Sequence, residues 1–260
     1  MTQLNITFPD SEQLDQNEEY FILNGEEKIK FHDYIRIFQT SHLYETVFHQ
    51  HLKCQSPTVI ANLLFKQVKS NDSTEQLRIL DFGAGNGLVA RALSKGNPEL
   101  IVGVDILEEA KQAALRERDD IYKDYLVADL SMAELDIIKK LRSFHFNAMV
   151  TVAALGFDHI PPESFINAFN LVEPNGWIAF NLRDRFLSNS DDSGFKEILE
   201  GGHGLGPQEL DLADPAVDHA GAGPGGTQMF WPAADLQRAV PQHRRSCQHR
   251  VAAGDPEATA

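Results

Sequence analysis

Several features typical of secreted, membrane-spanning or metal-binding proteins are missing from this 260-residue sequence. It has only two cysteines, Cys54 and Cys247, whose wide separation predicts neither a disulfide framework nor a zinc site. No apolar run approaches the ~20 residues that span a bilayer. The N-terminus is polar and acidic, unlike a signal peptide. The sequence therefore predicts a cytoplasmic protein that does not associate with membranes.

Positive charge is also scarce. The chain has 23 Lys and Arg against 38 Asp and Glu, which gives a formal net charge of −15. No cluster of basic residues is dense enough to bind a phosphate backbone, so nucleic acid is disfavoured as a partner. Hydrophobic residues make up 42% of the chain, enough for a substantial core. The sequence does not predict the oligomeric state.

Four residue types are absent from residues 201–260, which contain no Ile, Lys, Asn or Tyr but nine Gly, six Pro and eleven Ala. The enriched types have GC-rich codons and the missing types have AT-rich codons. One hypothesis is that this tail is out of frame or joined from unrelated DNA, and the alternative is a natural flexible tail. We predict no convincing pair of strands there, so the C-terminal strands are doubtful.

The first 70 residues divide into two parts. Residues 1–30 are expected to be an acidic, poorly ordered lead-in. Residues 31–70 carry apolar residues at helical spacing, and Ser56 followed by Pro57 is typical of a helix start. We expect this segment to form a helical lid over the domain that follows.

From residue 77 onward, strand patterns alternate with helix patterns. The predicted strands are "LRILDF", "ELIVGVD", "YLVADL", "FNAMVTVAAL" and "GWIAFNL". Strict β/α alternation predicts an α/β fold with a doubly wound, mostly parallel sheet covered by helices on both faces. We assign this domain to residues 71–200.

The turn after the first of these strands contains three glycines in "DFGAGNG": Gly83, Gly85 and Gly87. Glycine permits a positive φ and lets a ligand approach the backbone, and the following helix presents free N–H groups. Asp105 ends the second strand, where a carboxylate can accept ribose hydroxyls, and Asp129 ends the third. Each aspartate alone could simply cap a helix. The three features together favour a nucleotide-type cofactor, either NAD or S-adenosylmethionine.

Leu88 argues against NAD, because the dinucleotide fingerprint requires glycine or alanine at that position. The motifs "ILDFGAGNG", "GVD", "ADL" and "LVEPNGWIAFNLRD" resemble those of the class I, seven-stranded Rossmann-like S-adenosylmethionine-dependent methyltransferases over residues 77–184. One departure is Asn147, where many relatives have aspartate at the start of the fourth strand. The resemblance implies methyl transfer from S-adenosylmethionine to a small-molecule acceptor.

The resemblance also implies positions for the cofactor. Its methionine part would lie against the glycine turn, its ribose near Asp105 and its adenine near Asp129, while the sulfonium would lie beyond the fourth strand. Tyr34 and Tyr44 are candidate lid contacts. The cofactor-binding residues carried over are Asp81, Gly83, Ala84, Gly85, Gly87, Asp105, Ile106, Asp129, Leu130 and Val152.

His159 is the candidate general base, because it follows the fourth strand and can act near neutral pH. Its alternative role is to shape the loop or the substrate site. His49, His51 and Cys54 do not share one helix face, so we predict no metal site. Two other functions stay open: an S-adenosylmethionine-binding protein whose turnover is impaired by the tail, and an NAD(P)-dependent oxidoreductase.

Overall fold

A computed structural model describes residues 4–9, 19–70, 75–155, 160–174, 176–183 and 226–232 of the chain. The strands are β1 (Ile6–Thr7), β2 (Tyr20–Leu23), β3 (Glu27–Lys30), β4 (Arg78–Phe82), β5 (Leu100–Asp105), β6 (Asp124–Val127), β7 (Ala148–Thr151), β8 (Trp177–Arg183) and β9 (Gly226–Pro232). The α-helices are α1 (Tyr34–Gln39), α2 (Ser56–Ser70), α3 (Leu88–Leu93), α4 (Glu108–Glu117), α5 (Leu135–Arg142) and α6 (Pro162–Phe169). A π-helical segment covers Glu45–His51, and a 3₁₀ turn covers Ser94–Gly96.

The main sheet has the strand order β6-β5-β4-β7-β8-β9, with β4 to β8 all parallel. The chain moves outward from β4 in one direction, through β5 to β6, and then returns to place β7 on the other side of β4. Ligands bind where the strand order reverses in this way, outside the carboxyl ends of the strands. The predicted α/β fold with a doubly wound, mostly parallel sheet is confirmed.

The sheet has a buried core on each face, as alternating strand residues require. On one face, Leu80 and Phe82 of β4 belong to a cluster with Phe165 and Phe169 of α6. On the other face, Ile79 of β4 packs in a cluster with residues of α2 and α3. Neighbouring residues of one strand therefore serve opposite layers, and this fixes the register of the strands around the site.

The tail contains a strand that the sequence analysis did not predict. β9 pairs antiparallel with β8 along its whole length, from Trp177 opposite Pro232 to Arg183 opposite Gly226. The doubt about strands in residues 201–260 was therefore wrong for this segment. The local signal for β9 is a single short apolar run, "MFW", which is too short to predict a pair of strands. The hypothesis of an abnormal junction stays a prediction.

The expected disorder of residues 1–30 is wrong for the part that the structure describes. β2 and β3 form an antiparallel hairpin, and β1 pairs with β2. Asn24 and Gly25 both have positive φ, 55° and 78°, as tight hairpin turns often require. Phe21 and Ile29 are buried on one face of this small sheet. The Asn-Gly pair between apolar residues was the signal that we missed.

The predicted helical lid, residues 31–70, divides into two parts in the structure. α1 packs against α4, and the π-helical segment packs against the N-terminal hairpin through Val47. We call residues 32–51, which contain both, the lid. α2 instead packs in the core beneath the sheet, where Ile60, Ala61 and Leu64 are buried. Its amphipathic pattern fits either location, so only the tertiary packing could distinguish them.

Among the described residues, no helix combines the length and the apolar character that crossing a membrane requires.

The departure at Asn147 has a structural reason and generates a prediction. Its Oδ1 accepts a hydrogen bond from Arg78 N at 2.7 Å, and its Nδ2 donates to Gln76 O at 3.0 Å. In Asn147→Asp a carboxylate oxygen would face the Gln76 carbonyl in a nearly buried site. We expect unfolding free energy to fall by about 1–3 kcal/mol at pH 8.

The loss should shrink at acidic pH. The new carboxyl would have a folded-state pKa above its unfolded value, so its protonated form, which can donate again, predominates as pH falls. Urea unfolding at pH 5 and pH 8 measures this difference. Asn97→Asp, at an exposed position, is the matched control. Equal losses of unfolding free energy in Asn147→Asp and Asn97→Asp at pH 8 would contradict the role given to the two hydrogen bonds of Asn147.

Candidate functional site

A cavity of about 380 Å³ opens at the carboxyl ends of β4, β5, β6 and β7, between the sheet and the lid. Its walls come from the lid, the turns after these strands and the start of α6. The lining residues are His32, Asp33, Tyr34, Ile35, Phe38, Tyr44, Phe82, Gly83, Gly85, Asp105, Ile106, Leu107, Ala128, Asp129, Leu130, Val152, Ala153, Ala154, Ile160, Pro161 and Ser164. The cavity therefore lies at the point that the strand order predicts for a ligand.

Seven of the ten predicted cofactor-binding residues line this cavity: Gly83, Gly85, Asp105, Ile106, Asp129, Leu130 and Val152. The lid tyrosines Tyr34 and Tyr44 line it as well. Asp81, Ala84 and Gly87 are not among the lining residues. Ala84 and Gly87 belong to the turn after β4, and Asp81 is the residue of β4 that lies just before this turn. His159 lies outside the described residues.

The turn between β4 and α3, residues 83–87, is the glycine loop. Gly83, Gly85 and Gly87 have φ values of 73°, 52° and 84°, a region that other residues rarely adopt. A Cβ on Gly83 would lie 2.8 Å from the Ala154 Cβ, so side chains are excluded there for a second reason. The N–H groups of Gly83 and Ala84 donate to Val104 O at 2.9 and 3.1 Å, which ties the loop to β5.

Asp105, at the end of β5, holds the middle of the glycine loop. Its Oδ2 accepts a hydrogen bond from Gly85 N at 2.9 Å, and its Oδ1 accepts one from Leu107 N at 3.0 Å. Burial raises the pKa of the Asp105 carboxyl, and the hydrogen bonds from Leu107 and Gly85 partly oppose that effect. The carboxylate both shapes the loop and faces the cavity.

Asp129, just after β6, lies at the far end of the cavity. Its Oδ1 accepts hydrogen bonds from Ser131 N at 2.8 Å, Ser131 Oγ at 2.7 Å and Ser164 Oγ at 3.1 Å. The hydrogen bonds from Ser131 lower the pKa of this carboxyl, so Asp129 is ionised at neutral pH. The described donors all approach Oδ1.

Asp81 lies beneath the glycine loop and is fully buried. Its Oδ2 accepts a hydrogen bond from the Tyr122 hydroxyl at 2.7 Å, while its Oδ1 has no partner among the described residues. Burial raises the pKa of Asp81 to about 7. Buried polar atoms are nearly always paired in proteins, so this oxygen favours a donor from outside the described residues, such as a bound ligand.

The end of β7 provides the fourth wall. Val152, Ala153 and Ala154 line the cavity, and Ala153 has a φ of 55°. Its N–H donates to Asn181 Oδ1 on β8 at 2.7 Å, which stabilises this unfavourable backbone conformation. Sequence reasoning missed Asn181, because its role depends on the parallel pairing of β7 with β8.

An aromatic layer from the lid covers the glycine loop. The rings of Tyr34 and Phe38 stack at a centroid distance of 5.9 Å, and Phe38 contacts Tyr44 at 5.4 Å. The Phe38 ring lies directly over Gly85, 3.4 Å from the place that a Cβ would occupy. Helical spacing indicated an apolar face here, but it could not show that Phe38 would cover the loop.

The group of possible metal ligands found among the described residues differs from the one considered in the sequence. Ligand atoms of His42, Glu45 and Glu117 lie within 4.8 Å of one another. Arg116 and Arg118 already form ion pairs with these two glutamates. The carboxylates are thus neutralised by the protein's own cations.

The lining combines carboxylates with apolar side chains, which suits a ligand that carries both hydrogen-bond donors and apolar surface. Aspartates at the ends of β5 and β6 can accept hydrogen bonds from hydroxyl and amino groups. Ile106 and Leu130 provide apolar surface between them, and the glycine loop permits close approach to the backbone. The site can orient such a ligand and shield it from water beneath the lid.

No curated protein matches the chain by sequence. Among solved structures, it is similar to an S-adenosylmethionine-dependent methyltransferase from Clostridium acetobutylicum ATCC 824, with 15% identity, a TM-score of 0.42, and coverage of 57% of this chain and 58% of that chain.

Two further solved structures are similar. Magnesium protoporphyrin IX methyltransferase from Synechocystis PCC 6803, with bound S-adenosylmethionine, is 12% identical, has a TM-score of 0.45, and the match covers 66% of this chain and 77% of that chain. The plantazolicin methyltransferase BpumL, in complex with S-adenosylhomocysteine, is 19% identical and has a TM-score of 0.39. The match covers 58% of this chain and 54% of that chain. This chain therefore spans little more than half the length of the first and third of these proteins.

A family model described as a methyltransferase domain matches residues 48–240. The matched range runs from the lid through all the strands of the main sheet, including β9. Because this range is well over half of the chain, the protein belongs to the methyltransferase domain family, in which S-adenosylmethionine is the methyl donor.

Proposed function

We propose that this chain transfers a methyl group from S-adenosylmethionine to a small-molecule acceptor. The observation that carries the proposal is the convergence of the glycine loop, Asp105 and Asp129 on one cavity at the switch point of the sheet. The family match supports the same activity. It lends no support to the oxidoreductase alternative.

The residues of the cavity fit the parts of this cofactor in order. Asp105 would accept hydrogen bonds from the ribose hydroxyls, and Asp129 would accept one from the adenine amino group through Oδ2. Ile106 and Leu130 would enclose the adenine ring. Asp81 does not line the cavity, but its buried carboxylate lies beneath the glycine loop and would balance the positive charge of a methionine ammonium above the loop by electrostatic attraction.

Bound in this way, S-adenosylmethionine would supply a methyl group on a positively charged sulfur, which is a good leaving group. The protein's main task is then to hold the acceptor in line and to exclude water. Such positioning contributes roughly 7–11 kcal/mol in favourable systems. Val152 and Ala153, at the end of β7, would border the place of transfer, and the lid aromatics would cover it.

The cavity as a whole is acidic rather than basic, although two of its carboxylates, Asp105 and Asp129, are assigned here to the cofactor. Among the described residues, the lining of the cavity includes the carboxylates of Asp33, Asp105 and Asp129 and contains no Lys or Arg. The whole chain carries a net charge of −15. A neutral or cationic small molecule, such as an amine or a phenol, fits this electrostatic setting better than a carboxylate or a phosphate.

A first prediction concerns the cofactor site itself. We expect S-adenosylhomocysteine to bind the purified full-length chain, and Asp105→Ala to weaken binding by about tenfold or more, since it removes the acceptor for the ribose and for Gly85 N. Isothermal titration calorimetry measures both. Asp124→Ala, in which the lost carboxylate pairs with Lys140 at the opposite end of the sheet, is the control. A folded wild type that does not bind would overturn the proposal.

A second prediction follows from the pKa of Asp81. Only its ionised form would attract the cofactor's ammonium across the glycine loop, and with a pKa of about 7 the ionised fraction rises about tenfold between pH 6 and pH 8. Affinity for S-adenosylhomocysteine should rise by a similar factor over that range. Asp81→Asn should remove the slope. Parallel slopes in the wild type and Asp81→Asn would show that the charge of Asp81 does not act on the ligand.

In the ligand-free protein, the raised pKa of Asp81 affects folding stability, which falls with rising pH while the affinity for the ligand rises. Between the ordinary pKa of 3.8 and about 7, the native state binds a proton at Asp81 that the unfolded chain does not. The stability that this group contributes is therefore lost as pH rises through that window. Saturating S-adenosylhomocysteine should reduce this loss of stability. Thermal unfolding at pH 6 and pH 8, with and without the ligand, measures the difference.

A third prediction tests the role of His159. If its imidazole removes the acceptor proton, His159→Gln lowers kcat by about a hundredfold or more and leaves the Kd of S-adenosylhomocysteine unchanged. Release of S-adenosylhomocysteine with a panel of amine and phenol acceptors provides the assay. An unchanged kcat would assign His159 to shaping the loop. Binding without release by any acceptor would favour the function with impaired turnover.

A further inference from the structure

Two consecutive residues at the end of α4 each contact both the lid and the glycine loop. Glu117 accepts a hydrogen bond from the backbone N–H of His42, in the lid, through Oε1 at 2.9 Å. Through Oε2 it accepts one from Asn86 Nδ2, in the glycine loop, also at 2.9 Å. One carboxylate thus joins two segments that are 44 residues apart in sequence by their numbers, 42 and 86.

Arg118 makes the same connection with the opposite charge. Its Nη1 donates to the backbone carbonyl of Asn86 at 2.8 Å. Its Nη2 forms an ion pair with Glu45 in the lid. Nη1 also lies 3.1 Å from Glu117 Oε2, so the two residues form an ion pair with each other.

Both side chains of this Glu117–Arg118 pair are almost completely buried, with 2% and 3% of their surface exposed. Burial lowers the pKa of the Arg118 guanidinium, yet an arginine remains protonated in a protein. A buried charge is tolerated only while its partners are in place. If the lid moved away from the glycine loop, Arg118 would lose Glu45, and Glu117 would lose its bond to His42.

The neighbouring residue Arg116 adds a further connection. Its Nη2 donates to the backbone carbonyl of Phe38 at 2.9 Å and pairs with Glu117. Phe38 is the aromatic residue that lies over Gly85 in the cavity. The end of α4 therefore contacts the part of the lid that faces the cavity as well as the part that lies behind it.

We propose that Glu117 and Arg118 are positioning residues that hold the lid closed on the glycine loop, so that retention of the cofactor depends on this pair. The proposal rests on the proposed function for its ligand. Neither residue lines the cavity, and neither contacts reacting atoms. Their role is to keep Asn86, and with it the backbone of Gly85, fixed beneath the lid.

The first experiment measures ligand retention. Arg118→Gln removes the bridge from Glu45 in the lid to the Asn86 carbonyl in the glycine loop. If the population of the closed lid falls to about a tenth, the apparent Kd rises about tenfold. We expect most of this rise in the dissociation rate of S-adenosylhomocysteine, measured by stopped flow. Arg118→Lys, which keeps the charge but not the fork of donors, should recover part of the affinity.

Glu45→Gln is the gentler variant, because Glu45 is 18% exposed and its loss leaves Arg118 paired with Glu117. The double variant with Arg118→Gln should bind no more weakly than Arg118→Gln alone, since both changes remove the same connection. Strictly additive losses would contradict a shared connection.

Arg78→Gln is the matched control. Arg78 pairs with Glu75 and Glu173 at the amino ends of the strands, so its loss also removes ion pairs but far from the cavity. We expect the Kd of S-adenosylhomocysteine to remain unchanged in this variant. A Kd that rises equally in Arg78→Gln and Arg118→Gln would reduce the effect to general destabilisation and overturn the proposal.

Amide hydrogen exchange in the ligand-free protein tests the connection independently of binding. Arg118→Gln should speed exchange in residues 34–51 and 83–87 together, relative to the wild type and Arg78→Gln. Unchanged exchange in the lid would overturn the role of the pair while leaving the proposed function intact. Failure of the folded wild type to bind S-adenosylhomocysteine would instead overturn the proposed function, and the cofactor-retaining role with it.

Discussion

The hydrogen bond from Gly85 N to Asp105 Oδ2 is the interaction on which the rest of the site depends. It joins the turn after β4 to the end of β5, the two central strands on one side of the switch point. The loop can take this path only because glycines adopt its positive φ values. The path in turn sets where α3 begins and where the cavity opens. Fold and site thus share one local constraint.

Around this interaction the protein places acidic groups in three different environments. Asp81 is buried and half-satisfied, Asp105 is held by backbone N–H groups, and Asp129 is stabilised by serine donors. Their pKa values are shifted in different directions for that reason. Asp81 Oδ1 has no partner among the residues that the structure describes, and a buried carboxylate oxygen left without one would cost stability. A cationic ligand would offset that cost, which links affinity for the ligand to the stability of the fold.

α4 has a structural role that its sequence does not reveal. Its alanines pack against Phe38 of the lid and against the glycine loop, while its last turn carries the ionic contacts to both. The helix therefore connects the fixed part of the site, built on the sheet, to the part that covers it. If the lid opens, partial opening would leave these buried charges without partners.

The sequence by itself determined the β/α alternation, the glycine loop and the acids at successive strand ends, because these depend on local periodicity and on the special conformations of glycine. It could not show that α2 belongs to the core, or that β9 pairs with β8, since apolar patterns do not name their partners. The N-terminal hairpin had a local signal that was simply overlooked. The contacts of Asn181 and of the Glu117–Arg118 pair were decided by the tertiary structure alone. They join residues far apart in sequence, and only the packing of strands, lid and helices brings their charges and backbone groups within hydrogen-bonding distance.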